Sequence, residues 1–182
     1  TNLVKRENYN ATTTLGYQYY EGSQAFEQDS VLAEQYLSKA FDMHGDLSIA
    51  RTLGYIYYYG RANNGVPEKD KAFKYFSMAH YGDRYYEASY KLADCYVNGY
   101  GTPVCFTAAF QLVNDLEKDT LNDLIHGGYA SKYADIAFRL GNYYKDGIGC
   151  PISKFKSYRY YLVARAAIKY RLFNMEYVGD RG

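Results

Sequence analysis

Apolar residues recur along this chain at helical spacing, in paired segments separated by glycine-bearing breaks. The pattern is plainest between residues 47 and 82. Ile49, Leu53, Ile56 and Tyr57 fall on one face of a helix, and Gly60 ends it. Asn63-Asn64-Gly65-Val66-Pro67 then reads as a loop, because Gly and Asn accept positive φ and Pro67 cannot continue the first helix. A second helix is predicted from Pro67 or Glu68, through Ala72, Phe73, Tyr75, Phe76 and Ala79, to Gly82. The same order is expected over residues 9–45, 85–128 and 133–172. In the first unit Asp29 or Ser30 caps the second helix. In the third, Leu121, Leu124 and Ile125 keep the helical period, so the extra residues there lengthen the second helix. The fourth ends in a long helix from about Ser153 to Arg171, with a cap or frayed tail over 173–182.

The four units share a cassette. Leu15-Gly16, Leu53-Gly54, Leu92-Ala93 and Leu140-Gly141 are each followed by a tyrosine (Tyr19, Tyr57, Tyr96, Tyr144) and then a glycine (Gly22, Gly60, Gly99, Gly147). Self-similarity at this period marks a stacked-repeat solenoid. A mid-helix glycine costs about 1 kcal/mol of helix propensity against alanine. Keeping it at Gly16, Gly54 and Gly141 is expected to let a second helix backbone approach. The leucine and the tyrosine four residues later share a face, which is expected to be core between hairpins.

These residues resemble the Sel1-like repeat pattern, a relative of tetratricopeptide arrays. The second unit supplies Leu53, Gly54, Tyr57, Gly60, Gly65, Val66, Asp70, Ala72, Tyr75, Ala79 and Gly82, with a three-residue insertion between its loop glycines. The resemblance implies an all-α fold, a right-handed α-α superhelix of about four Sel1-like helix hairpins. It also implies an adaptor role.

Composition narrows the function classes. A formal net charge of +1 with no like-charge block gives no footprint for nucleic acid or an anionic membrane. No apolar run is long enough to insert in a bilayer. Three cysteines, Cys95, Cys105 and Cys150, read as free thiols in a reducing compartment, so a cytoplasmic location is expected. The sequon Asn10-Ala11-Thr12 leaves a secretory lumen as the alternative if the chain is a fragment.

The 25 tyrosines are the remaining compositional signal. In related helical repeats, first-helix positions off the packing face line a concave groove. Here they give Tyr17, Tyr20, Arg51, Tyr55, Tyr58, Tyr59, Tyr90, Asp94 and Asn142 as candidate partner-binding residues. Tyrosine beside arginine is the composition of interface hot spots. The expected function is a non-enzymatic scaffold for a protein or peptide partner. The alternatives are a luminal adaptor in secretory-pathway quality control, and a structural spacer or self-assembling unit, including a homodimer. No catalytic residue, metal ligand or cofactor motif is identified. His44, His80 and His126 close second helices, where they are expected to cap the last carbonyls.

Overall fold

The computed structural model of the protein describes residues 2–83, 86–128 and 130–173. These residues form eight α-helices paired as four hairpins. They are α1 (Asn2–Glu21) with α2 (Ser30–His44), α3 (Leu47–Tyr59) with α4 (Lys69–Asp83), α5 (Tyr86–Asn98) with α6 (Phe106–Ile125), and α7 (Ala130–Asp146) with α8 (Lys154–Phe173). The lengthened second helix of the third hairpin is present as the 20-residue α6. α1 starts before the expected position near Tyr9, and α4 starts just after Glu68. Of the two candidate caps for α2, Asp29 is the one used, accepting from the Val31 and Leu32 amides at 2.9 Å each. The expected tail lies, beyond Phe173, outside the described residues.

The chain divides into two compact units, Thr1–Cys95 with Tyr100–Thr102, and Tyr96–Gly99 with Pro103–Gly182. The first is built on fully buried Leu37, Ile49, Leu53, Ile56, Phe76 and Leu92. The second is built on Val113, Ile136 and Leu140, and a satellite of Tyr133, Ala134 and Ala167 packs under Leu121, Leu124 and Val163.

Each hairpin closes on the same backbone bond. The amide of the residue before each second helix donates to the carbonyl of the cassette tyrosine. Asp29 bonds Tyr19 at 2.9 Å, Glu68 bonds Tyr57 at 2.9 Å, Cys105 bonds Tyr96 at 2.9 Å, and Ser153 bonds Tyr144 at 2.8 Å. These carbonyls lie in the last turn of the first helix, where intrahelical amides run out. The tyrosine rings pack within their own hairpins. Tyr19 stacks on Tyr36, Tyr57 on Tyr75 and Tyr144 on Tyr160, with centroids 5.8, 5.5 and 5.7 Å apart. The third hairpin carries Leu112 at the equivalent second-helix position. The link to the preceding hairpin is made by a hydroxyl, as Tyr57 donates to Glu34 at 2.6 Å.

At Gly54 and Gly141 the mid-helix glycine makes room for an aromatic side chain rather than for a helix backbone. A Cβ on Gly54 would stand 2.6 Å from the Phe76 ring, and one on Gly141 would stand 2.6 Å from the Tyr161 ring. At Gly16 the close neighbour is Leu37, its side chain at 2.7 Å and its backbone nitrogen at 3.2 Å. In the first, second and fourth hairpins the second helix thus drops one large residue into the gap its partner leaves; the expected backbone approach is present at Gly16 and gives way to ring packing at Gly54 and Gly141.

Asp46 caps α3 and ties it to α1. Its carboxylate accepts from the Ser48 amide at 2.8 Å, the Ser48 hydroxyl at 2.7 Å and the Tyr9 hydroxyl at 3.0 Å. Burial acts to raise this carboxyl, but the hydrogen bonds, led by Ser48, outweigh it and hold the group below the ordinary aspartate range. The sign follows: a carboxyl depressed in the folded state adds stability above its unfolded pKa and loses it as pH falls through the folded value. Asp46→Ala should therefore cost about 1 kcal/mol at neutral pH, and the gap from the wild type should close in acid. Thermal melts across that range check this; a gap independent of pH would remove the charge from the account.

Candidate protein-binding face

The cassette register places Tyr55, Tyr58 and Tyr59 on the side of α3 away from Leu53, and Tyr90, Lys91 and Asp94 on α5. Gly60, in the left-handed conformation at φ 62°, turns the chain so that Arg61 comes back over the end of α3. All these residues belong to the first unit.

Tyr59 is the pivot of this surface. The residue is 45% exposed, yet its ring is held on several sides. Tyr55 stacks on it at 6.2 Å and Tyr58 meets it edge-on at 5.1 Å. The Arg61 guanidinium lies 5.3 Å from its centroid and the Lys91 ammonium 5.0 Å. Arg61 also donates to the Tyr20 hydroxyl at 3.0 Å and lies over the Tyr20 ring.

Lys91 is buried to 8% exposure, an unusual place for an ammonium. It is compensated by Asp94 at 3.5 Å and by the faces of Tyr58 at 4.4 Å and Tyr90 at 5.6 Å, as well as Tyr59. Ring quadrupoles attract a desolvated cation by about 2 kcal/mol. Under this layer the Tyr55 and Tyr90 hydroxyls share a 2.9 Å hydrogen bond. Burial first, and then the bond to Tyr90, pushes the Tyr55 hydroxyl far up, and burial does the same for Tyr58. Both remain neutral phenols at physiological pH. The chemistry offered here is contact, hydrogen bonding and fixed positive charge.

The other predicted residues fall at different places. Tyr17 lies at the α1–α3 contact, its hydroxyl 3.4 Å from Ser48 Oγ. Arg51 pairs with Glu87 at 3.5 Å. Asn142 belongs to the second unit, where it accepts from the Tyr161 hydroxyl at 2.8 Å. Three contributors were missed by counting offsets along first helices: Arg61, Lys91 and Tyr100, whose ring lies 5.7 Å from Tyr58. Arg61 and Tyr100 are loop residues. Lys91 adjoins Leu92 on the inward side, and only its long stem carries the charge back to the rings.

The three histidines have different side-chain partners. His126 Nδ1 is 2.8 Å from the Asn122 carbonyl, to which it donates as expected. His80, in the last turn of α4, bonds the buried Ser89 hydroxyl on α5 at 2.7 Å, and the ring of His44, in the last turn of α2, meets Tyr9 edge-on at 4.3 Å. Gly101 and Gly149 press on the second helix of the preceding hairpin: Gly101 on Lys69, Asp70 and Phe73, and Gly149 on Phe106 and Phe110. Among the described residues no three His, Cys, Asp or Glu side chains gather to hold a metal ion. No described helix is long and apolar enough to cross a membrane.

Known proteins supply the family. The chain matches the Sel1 repeat over residues 12–44, 52–79, 87–112 and 134–167, one match in each hairpin. No curated protein matches it in sequence. Among solved structures it is similar to a Sel1 repeat protein from Oxalobacter formigenes, at 22% identity and a TM-score of 0.66, over 87% of this chain and 56% of that one. It is also similar to a protective antigen present in uropathogenic Escherichia coli strains displaying an SLR fold. There the identity is 16% and the TM-score 0.67, over 97% of this chain and 36% of that one. At such identities the likeness concerns the fold, and the chain spans about half or less of either protein. Sel1 repeats are a scaffold family that generally mediates protein interactions. With four matched repeats covering more than half of its length, the chain belongs to the Sel1 repeat family.

Proposed function

We propose that the chain is a non-enzymatic adaptor that holds a protein or peptide partner on the first unit's tyrosine face. The observation that carries this reading is the state of Tyr59, a large residue left 45% exposed with its ring fixed by two neighbouring rings and two cations. A side chain immobilised before contact loses little entropy when a partner arrives, so more of its contact energy is available for binding. Tyr20, Tyr55, Tyr58 and Tyr90 support that ring, with Arg61 and Lys91 as its charged neighbours. The free thiols, with Cys105 exposed, support a reducing and hence cytoplasmic setting.

The test is affinity capture from the source cell with wild type beside Tyr59→Ala, which opens no core cavity. A partner held through this face should lose about 2 kcal/mol or more on that truncation and drop out of the capture. Undiminished recovery with the variant would move the site elsewhere on the molecule.

A further inference from the structure

The tyrosine face carries more positive charge than its own acids meet, and the inference drawn from this rests on the reading that a partner docks there. Lys91 is answered by Asp94 and Arg51 by Glu87, each at 3.5 Å. Arg61 and Lys69 are placed differently. Arg61 is held by the Tyr20 hydroxyl and by the Tyr20 and Tyr59 rings. The Lys69 ammonium lies 4.4 Å from the centroid of Tyr100, the ring that packs on Tyr58. Among the described residues no carboxylate pairs with either cation, and both side chains are exposed.

Ring contacts of this kind aim a cation without neutralising it. A guanidinium has five N–H donors and an ammonium three, whereas the hydrogen bond to Tyr20 occupies one donor of Arg61. Two oriented, solvated cations, Arg61 on the Tyr59 ring and Lys69 farther along the same run of rings on Tyr100, are complementary to carboxylates carried on a chain. A polyanion such as nucleic acid calls for a longer basic track than this, and the protein as a whole is nearly neutral at +1.

We propose that the face recognises an acidic peptide segment of a partner protein, with Arg61 and Lys69 taking its carboxylates and Tyr59 packing against it. The test pans a random-peptide phage library over the whole folded chain. Recovered peptides are then measured against wild type, Arg61→Gln/Lys69→Gln, Tyr59→Ala and the control Lys118→Glu, a residue of the second unit. The expected result is enrichment in Asp and Glu, binding about tenfold or more weaker in the double Gln variant, no change in the control, and weakening with added salt. Peptides that need Tyr59 but lack acids and ignore the double Gln variant would overturn the acidic-partner inference while leaving the face as a docking site. No peptides that depend on Tyr59 would overturn both. A single-stranded DNA oligonucleotide bound as tightly through Arg61 and Lys69 would overturn the inference in favour of nucleic acid.

Discussion

Gly54→Leu should destabilise the protein by about 2 kcal/mol and lower its melting temperature by roughly 4–8 °C. Two effects of opposite sign set that figure. Leucine is the better helix former, which returns somewhat under 1 kcal/mol. Against it, even the first added carbon would stand 2.6 Å from the ring of Phe76, which is fully buried and cannot swing aside. Overpacking a filled core costs about 1–3 kcal/mol, and leucine lies at the upper end because three further carbons follow the first. Adding Phe76→Ala should relieve the clash, so the two changes together should destabilise less than the sum of their separate effects. Circular dichroism melts of the four proteins in this cycle decide the matter. An unchanged melting temperature for Gly54→Leu alone would mean that the gap between α3 and α4 is open.

The second large effect is expected at a loop glycine. Gly149→Ala should cost about 3 kcal/mol, whereas Gly65→Ala should cost only about 1 kcal/mol. Both glycines have positive φ, 67° and 80°, so both substitutions carry the left-handed penalty. They differ in what lies beside them. A Cβ on Gly149 would overlap the Phe106 carbonyl at the start of α6, which is backbone and moves only with its helix. A Cβ on Gly65 would meet nothing within 4 Å. Urea denaturation of the two variants reads the difference directly. Equal losses would show that the loop-to-helix contact at Gly149 contributes no stability.

That contrast marks how far the sequence could be read. Gly65 and Gly149 stand at comparable places in their loops, and both read as turn residues. Which one presses on a neighbouring helix depends on the insertion before Gly65, whose spatial course no local pattern encodes. The hairpins themselves were legible because burying one face of each helix imposes a period, and Leu53, Leu92 and Leu140 are fully buried on that face. The extension of α6 was legible for the same reason. The use of Gly54 was only half legible: propensity shows that something must come close, but Phe76 comes from another helix. For the candidate face, register located Tyr55, Tyr58, Tyr59, Tyr90 and Asp94, and it missed Arg61 and Lys91. A periodicity assigns the Cβ of a residue to a face, whereas a long basic side chain delivers its charge several ångströms away.

The bond from the amide before each second helix to the cassette tyrosine's carbonyl has a consequence for how such chains diversify. It is made by backbone atoms alone, and the donating residue is Asp29, Glu68, Cys105 or Ser153, so no one side chain is required. Any amino acid except proline can fill that place. The intervening segment is therefore released from the task of holding the two helices together, and it can lengthen, as it has before Glu68, or change composition without reopening the hairpin. Loop positions that touch no neighbouring helix, such as Gly65, are thus free to drift, unlike Gly101 and Gly149, and foreign recognition segments can be grafted at such positions upstream of the donor while the helices keep their register.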